Sequence, residues 1–346
     1  MSDESLALRE PVLVTGATGF IGRWLIDELV RRGIECRALV LPGEALEGLP
    51  WVGNGGVPKA RVAVVRGDVT DPDSVRRASE GIGTVVHLAA VVQDWGSSEL
   101  HRRVTVEGTE NVLGAAAEQG ARAVLASSIV VYGDGLGDGP CPESRPHGRA
   151  FGPYSRSKQA QERIARRLEA ELDLDLVIVR PANVFGPGSQ PWVHEVLELL
   201  RRRQFTLIGG GRHDAGLCHV GNLVDVLLRA AARRDARGKV FNAADGEGVT
   251  WDRYFGDLAR LAGTPPPRSL PLGLARILAL AFETVWKLVP ARRRPPITRE
   301  ALNLTARPLD VPIDRARHEL GYRPRMDYEQ ALVELGRSPT PGDARG

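Results

Sequence analysis

Three side chains able to pass a proton stand out by type and spacing. Tyr154 and Lys158 lie four residues apart in Tyr154-Ser-Arg-Ser-Lys158, and the periodic stretch 153–171 reads as a helix, so both share one face. An ammonium beside a phenol favours the ionised form, which makes a tyrosine, ordinarily titrating near about 10, usable as an acid or base at neutrality. Such pairs also occur on solvated helices, and Ser128 gives this one a chemical setting. It follows the apolar run 122–127, at the carboxyl end of a strand, where open parallel sheets place their ligand crevice. Near the start of the chain, Val12-Leu-Val-Thr-Gly-Ala-Thr-Gly-Phe-Ile-Gly22 passes from a buried strand through a glycine-rich turn into a helix. Gly16 permits the sharp turn, Gly19 lets backbone approach phosphate oxygens, and Gly22 lets the helix pack closely on the sheet, so the junction suits a pyrophosphate.

The elements that must position these groups alternate regularly. Strand-like runs at 11–15, 34–40, 62–66, 84–88, 122–127 and 175–180 are separated by helical patterns, which predicts an α/β fold with a doubly wound parallel sheet. The insert Leu46 to Pro58 is rich in Gly, Asn and Pro and reads as a surface loop. A second glycine- and proline-rich loop, Gly133 to Pro153, separates Ser128 from Tyr154 and is placed to border a substrate. After residue 185 the strand-like segments shorten, the clearest being Thr206-Leu-Ile208 and Lys239-Val-Phe-Asn242.

Composition excludes several functions. The 346 residues are 42% hydrophobic, enough for one large domain or two small ones. The net charge is only +3, and the arginines pair with acids along helices, as in Glu162 to Glu171, which argues against a nucleic-acid partner. Cys36, Cys141 and Cys218 are few and scattered, and the seven histidines lack ligand spacing, so neither a disulfide framework nor a metal site is expected. The N-terminus shows no charged segment followed by an apolar run and a small-residue cleavage site, which points to the cytoplasm.

Seven landmarks, in order, make the chain resemble the extended short-chain dehydrogenase/reductase superfamily of sugar-nucleotide epimerases, dehydratases and hydroxysteroid dehydrogenases. They are Thr15 to Gly22, Gly67-Asp-Val-Thr70, His87-Leu-Ala-Ala90, Val106 to Asn111, Ser127 to Gly133, the Tyr154/Lys158 pair, and Arg180 to Pro187. The resemblance implies a Rossmann-type domain over 1–185, a smaller substrate-binding lobe over 186–337 interleaved with that core, and a disordered tail over 338–346. It also implies a homodimer through the helices within 98–119 and 153–171. For the cofactor it implies Gly16, Thr18, Gly19, Phe20, Ile21 and Gly22 in the phosphate turn, Asp68 on the adenine amine with Val69 beside it, Ala89 and Ala90 along its path, and Pro181 and Val184 at the carboxamide. Ser128 would hydrogen-bond the reacting oxygen, Tyr154 would exchange its proton, and Lys158 would hold the ribose hydroxyls and keep the phenol's pKa low.

Two positions depart from the family pattern. Thr105 stands where an Asn of the proton relay is usual. At the end of the second strand, where NAD-preferring members carry an acid, the chain has Val40 followed by Leu41-Pro-Gly. That leaves NAD and NADP both open, with NAD favoured by the general similarity and Arg37 or Arg23 available to meet a 2′-phosphate.

The branch follows from further residues. Ile129 and Val130 replace the Asp-Glu pair of dehydratases. Within Arg212 to Val220, Ala215-Gly-Leu217 stands where epimerases carry the Arg-Asp-Phe-like segment that grips a sugar nucleotide's diphosphate, with no arginine beside it, and His219 to Asp225 resembles 3β-hydroxysteroid dehydrogenase-like proteins, although Asn183 matches the epimerases. The resemblance therefore implies NAD(P)-dependent interconversion of a secondary alcohol and a ketone on a steroid-, polyketide- or lipid-like molecule. The alternatives are a sugar-nucleotide epimerase with tightly held NAD and a non-catalytic dinucleotide sensor, a role with no need of an activated phenol. The segment 272–289 is the most hydrophobic long helix pattern, but Arg276, Glu283 and Lys287 make it a poor membrane span. A helix packed on the core is favoured there over a lid on a greasy substrate, and both over an interfacial helix, for want of a strong basic face. Leu320-Gly-Tyr-Arg-Pro324 reads as a structural stop.

Overall fold

Runs as completely buried as Val12–Thr15 and Arg122–Ala126 need cover on both faces, which a parallel sheet between two helical layers provides. The computed structural model describes residues 6–53, 56–288 and 294–338. Its central sheet begins with β1 (Val12–Thr15), β2 (Cys36–Val40), β3 (Val62–Arg66), β4 (Thr84–His87), β5 (Arg122–Ala126) and β6 (Asp175–Pro181), each on a run predicted from the sequence. Two short strands, β7 (Asn183–Phe185) and β9 (Leu217–His219), pair with each other, as do β8 (Thr206–Ile208) and β11 (Arg268–Leu270). The seventh strand of the sheet is β10 (Val240–Ala243), and the order is β10-β6-β5-β4-β1-β2-β3 with all neighbours parallel. Strand order reverses at β1 and β4, opening the crevice at their carboxyl ends.

Helices α1 (Phe20–Arg31) and α7 (Val220–Ala232) cover one face, with Leu25, Ile26, Leu29, Leu223 and Leu227 packed on Val12, Val14 and Val177. On the other face α2 (Pro72–Ser79), α4 (Gly108–Glu118) and α5 (Pro153–Leu172) set Val75, Val112, Leu113 and Leu168 against Leu13, Val85 and Leu125. A short α3 (Ser98–His101) runs into α4 through a wider helical turn at 102–107. Two more helices, α6 (Glu195–Arg201) and α8 (Trp251–Leu261), lie in the second lobe. Four further helices follow: α9 (Leu272–Leu288), α10 (Arg299–Thr305), α11 (Asp314–Glu319) and α12 (Tyr328–Arg337). The second lobe has its own core around Phe185, Trp251, Tyr254 and Tyr328.

Three details differ from the sequence expectations. The run 239–242 was expected among the lobe strands, but β10 pairs with β6, Val240 opposite Ile178, because α7 supplies a right-handed crossover back to the sheet. The 46–58 insert is more than a surface loop. Leu49 and Trp51 fold back into the main core, since the apolar surface of an indole favours burial strongly. In the Leu320-Gly-Tyr stop, Tyr322 is buried and donates to the Ala244 carbonyl (3.1 Å), so it also pins the exit of β10. Of the expected tail, residues 339–346 lie outside the described residues.

Candidate active site

The phosphate turn is shaped by contacts only hydrogen can make. Gly16 has φ +66°, and a Cβ there would sit 3.0 Å from the Ala89 nitrogen. A Cβ on Gly22 would lie 2.2 Å from the Gly16 carbonyl oxygen, so this glycine is what lets α1 start directly against the turn. Gly19 caps α1 without any side-chain acceptor, and the first turn holds no acid, so the helix offers its amino end to an anion. Thr18 accepts from the Arg23 guanidinium through its carbonyl (2.6 Å), Phe20 turns its ring towards Gly188, and Ile21 packs on the core. Thr15 Oγ1 accepts from the Leu88 and Ala89 amides (3.2 Å each), tying β1 to β4 where the crevice opens.

Around this crevice stand the other positions that the resemblance assigned to a cofactor. Asp68 is half-buried just after β3, its Oδ1 accepting from the Thr70 amide (2.9 Å), and Val69 is buried against Gly108. Ala89 and Ala90 follow β4, Pro181 ends β6, and Val184 lies in β7. These residues fit a dinucleotide: the cradle is closed to any Cβ, and its helix end is uncapped. Arg37 is a correction. Its guanidinium donates to the carbonyls of Ala78 (2.6 Å) and Glu80 (2.9 Å), and it sits in the first half of β2 although the crevice lies at the strands' carboxyl ends. Arg66 instead donates to the carbonyls of Leu41 and Glu44, in the loop after β2.

Ser128 ends the β5 exit, its Oγ accepting from the Val130 amide (3.3 Å), and Tyr154 stands in the first turn of α5. Burial pushes the Tyr154 phenol up to about 12; hydrogen bonding with Ser128 lowers it and the charge of Glu300 raises it. Lys158 is buried, and its Nζ donates to the Ala126 carbonyl (2.8 Å) and Gln161 Oε1 (2.9 Å). Burial drives its pKa down to about 7, with Glu162 opposing. Burial thus dominates the titration of the phenol in this arrangement, and Lys158 Nζ is held by the Ala126 carbonyl and Gln161.

Behind Lys158 runs a buried polar chain. Gln161 Nε2 donates to Thr109 Oγ1 (2.8 Å), which lies 2.9 Å from His87 Nε2, and His87 Nδ1 lies 2.7 Å from Thr15 Oγ1. Thr109 spends its proton on the Thr105 carbonyl and Thr15 accepts two amides, so the bonds assign the Nε2–H tautomer to His87. Burial and then Lys158 push that imidazole down to about 3, which keeps it neutral. Thr105 Oγ1 accepts from the Val91 amide (3.0 Å) and so serves the loop after β4.

A second buried cluster props Ser128 and α5. Glu162 takes Arg180 at 2.7 and 2.9 Å, the Ser127 hydroxyl at 2.5 Å and His147 at 2.8 Å. Burial raises its pKa, but the Arg180 and His147 hydrogen bonds outweigh that and bring it to about 2. At the start of α5, Glu300 of α10 accepts from the Ser155 amide (2.7 Å), while its Oε2 is buried with no hydrogen-bond partner against Gly152. Burial lifts this carboxyl to about 7. Glu162, expected to pair with arginines along its own helix, is instead buried against Arg180 of β6, while Gln161 and Glu300, the latter 145 residues from Ser155, were not singled out from the sequence. Asn183, the epimerase-like residue, is buried and spends its amide on the Ala215 carbonyl (2.7 Å). A cavity of about 200 Å³ lies at the start of α5, lined by Asp94, Trp95, Phe151, Gly152 and Arg299 among others. A larger one, about 350 Å³, is lined by Asp214, Asp245, Asp310 and Arg317 in the second lobe and contains none of Ser128, Tyr154 and Lys158.

Comparison with known proteins agrees with this geometry. Residues 12–244 match the NAD dependent epimerase/dehydratase family. The chain is 29% identical to 4-hydroxy-2-methyl-3-oxo-4-farnesyl-3,4-dihydroquinoline-1-oxide ketoreductase of Stigmatella aurantiaca, over 93% of this chain and 94% of that one. It is 27% identical to 3 beta-hydroxysteroid dehydrogenase/Delta 5-->4-isomerase of Mycobacterium tuberculosis, over 96% and 92%. Among solved structures it is similar to MoeE5 in complex with UDP-glucose and NAD, with a TM-score of 0.70 and 26% identity over 94% and 97% of the two chains. The chain belongs to the NAD-dependent epimerase/dehydratase family of extended short-chain dehydrogenases/reductases, as an oxidoreductase akin to its 3β-hydroxysteroid dehydrogenase-like members.

Proposed function

We propose that this enzyme is an NAD(P)-dependent ketoreductase that converts a ketone on an apolar, steroid-, polyketide- or lipid-like substrate into a secondary alcohol, and the reverse. The observation that carries the reading is the pairing of Ser128 at the exit of β5 with Tyr154 in the first turn of α5, with Lys158 one turn further along that helix, beside a glycine cradle at the carboxyl ends of β1, β4 and β5. When bound, the nicotinamide supplies the hydride. The Ser128 hydroxyl orients the ketone oxygen by donating to it, and Tyr154 gives its proton to that oxygen as negative charge develops there. A phenol pushed up to about 12 is protonated at neutral pH and so can serve as the proton donor of the reductive step. Lys158, anchored to Ala126 and Gln161, is positioned for the ribose hydroxyls.

Support for the apolar substrate comes from the relatives, which are named for a farnesylated quinoline and for hydroxysteroids. Val40 leaves no carboxylate to repel a 2′-phosphate, and Arg66 brings a guanidinium to the adjoining loop, so NADPH is expected to serve as well as NADH. We assign dimerisation to the helices within 98–119 and 153–171, checked by sedimentation equilibrium.

The test is dinucleotide oxidation followed spectrophotometrically with 3-ketosteroids and 3-oxoacyl compounds, using wild type and Tyr154→Phe. Turnover by the wild type, abolished in the variant with dinucleotide affinity kept within a few-fold, is expected. A sugar-nucleotide epimerase, a reading favoured by the similarity to the UDP-glucose complex, would retain stoichiometric NAD through purification. Binding without turnover on any substrate would make the chain a sensor.

A further inference from the structure

Reduction leaves Tyr154 short of a proton, and the network behind Lys158 offers no way to return it. Gln161, Thr109, His87 and Thr15 follow one another from Lys158, all fully buried, with their polar atoms spent inside the network or on backbone. Thr105, in the relay position, is committed to the Val91 amide (3.0 Å). Glu162, at about 2 against the pull of burial, is ionised and has no proton to lend.

Glu300 is placed differently, because α10 spans both halves of the site. Asn303 donates to the Gly133 carbonyl (2.8 Å), in the turn that follows Ser128, and Glu300 Oε1 accepts from the Ser155 amide (2.7 Å), next to Tyr154. At the start of the helix Thr298 donates to Asp94 (2.5 Å), which ties α10 to the loop after β4. The second carboxyl oxygen, Oε2, is buried without a hydrogen-bond partner, and a Cβ on Gly152 would meet it at 1.7 Å. Gly152 belongs to the wall of the cavity of about 200 Å³, whose Gly96, Ser98, Arg156 and Arg299 are exposed. One oxygen of Glu300 thus anchors the carboxyl beside Tyr154, and the other stands unpaired against a wall that reaches solvent.

We propose that Glu300 returns the proton to Tyr154 after each reduction, drawing it from solvent through the cavity at the start of α5. The Tyr154 O–H bond breaks as its proton joins the ketone oxygen. The Oε2–H bond of Glu300 then breaks, its proton crosses a water to the phenolate, and the carboxylate left behind takes a proton from solvent. Burial holds this carboxyl at about 7 and the phenol at about 12, so the transfer runs from the stronger acid to the weaker. The charges facing Glu300 are Asp94, which raises it, Arg156, which lowers it, and Arg294, which is paired with Asp94. The inference rests on the ketoreductase reading.

The test is stopped-flow oxidation of NADPH with a 3-ketosteroid or 3-oxoacyl compound that wild type turns over, in wild type, Glu300→Gln and Glu300→Asp. The first turnover uses the proton Tyr154 already carries. Glu300→Gln should therefore keep the burst rate within about threefold while its steady-state rate drops by about a hundredfold. Glu300→Asp, which keeps a carboxyl, should recover most of that loss. In wild type the steady-state rate should fall as pH rises through 7 while the burst rate holds, and Glu300→Gln should lack this fall. Lys158, also driven to about 7 by burial, is present in every variant, so a fall that Glu300→Gln removes belongs to Glu300. Burst and steady state lowered together, or neither lowered, overturns the proposal, as does a fall with pH that survives in Glu300→Gln. Should that variant fail to fold, wild type decides: a fall confined to the steady state supports the relay, and one shared by the burst overturns it. Absence of turnover by wild type on every ketone removes the ketoreductase reading itself, and the relay with it.

Discussion

Replacing Glu300 by glutamine removes a buried carboxyl that gains nothing from being charged on its Oε2 side. Its folded pKa is about 7 against 4.5 for the ordinary group, because burial outweighs the Ser155 hydrogen bonds. Between those two values the folded chain binds a proton that the unfolded chain has released, so stability falls as pH rises through this window. At about 1.4 kcal/mol per pH unit, the loss attributable to Glu300 is on the order of 3 kcal/mol, complete above about pH 7. Glutamine keeps an acceptor for the Ser155 amide and leaves a buried amide nitrogen near Gly152, a cost that does not vary with pH. The assay is urea unfolding of wild type and Glu300→Gln from pH 5 to pH 8.5. The stability of the variant relative to wild type should improve by about 3 kcal/mol from the acidic to the alkaline end. Asp245, also lifted to about 7 by burial, titrates in both proteins and cancels in the difference. A difference that stays flat across this range would refute the reasoning, since it would mean that the Glu300 carboxylate is solvated in the folded chain. The same substitution should lower the pH at which the Tyr154 phenol titrates, because the charge of Glu300 is one of the influences raising it.

Gly22→Ala should abolish dinucleotide binding in titration calorimetry and cost roughly 1–3 kcal/mol of stability, since its Cβ would meet the Gly16 oxygen at 2.2 Å. Glu162→Gln should destabilise the fold by about 3–5 kcal/mol at neutral pH, because it leaves Arg180 buried without its charge partner; urea unfolding measures this. For wild type, the stabilisation from Glu162 is present above pH 4.5 and fades as pH falls towards 2, and the variant should lack that acid limb. Arg37→Met should leave the ratio of NADPH to NADH affinity unchanged, whereas Arg66→Met should lower it; both are read by dinucleotide titration.

Local rules made much of this protein legible. A strand, a tight turn and a helix start are written in adjacent residues, so the first six strands, the phosphate turn and the helix carrying Tyr154 and Lys158 fall where the sequence places them. What pattern could not reveal depends on residues distant along the chain. Lys158 was expected beside the phenol; the partners that hold it are the Ala126 carbonyl and Gln161. Trp51, in a segment that reads as loop, fills the core because volume and burial override turn composition. Glu300 reaches the site only through the packing of α10 on the start of α5.

The late arrival of β10 reaches beyond the site. Residues 240–243 complete a sheet whose other six strands end by residue 181, so during synthesis the edge of β6 waits unpaired for about sixty residues to emerge. Chain beyond residue 185 returns to the sheet, with α7 packed on its face and β10 added at its edge. Truncation after residue 185, or exchange of everything beyond it for another enzyme's lobe, would discard α7 and β10 and leave an open, sticky sheet. Altering what this enzyme recognises must therefore proceed by changing side chains and loops inside the intact chain, because its architecture offers no seam at which to cut.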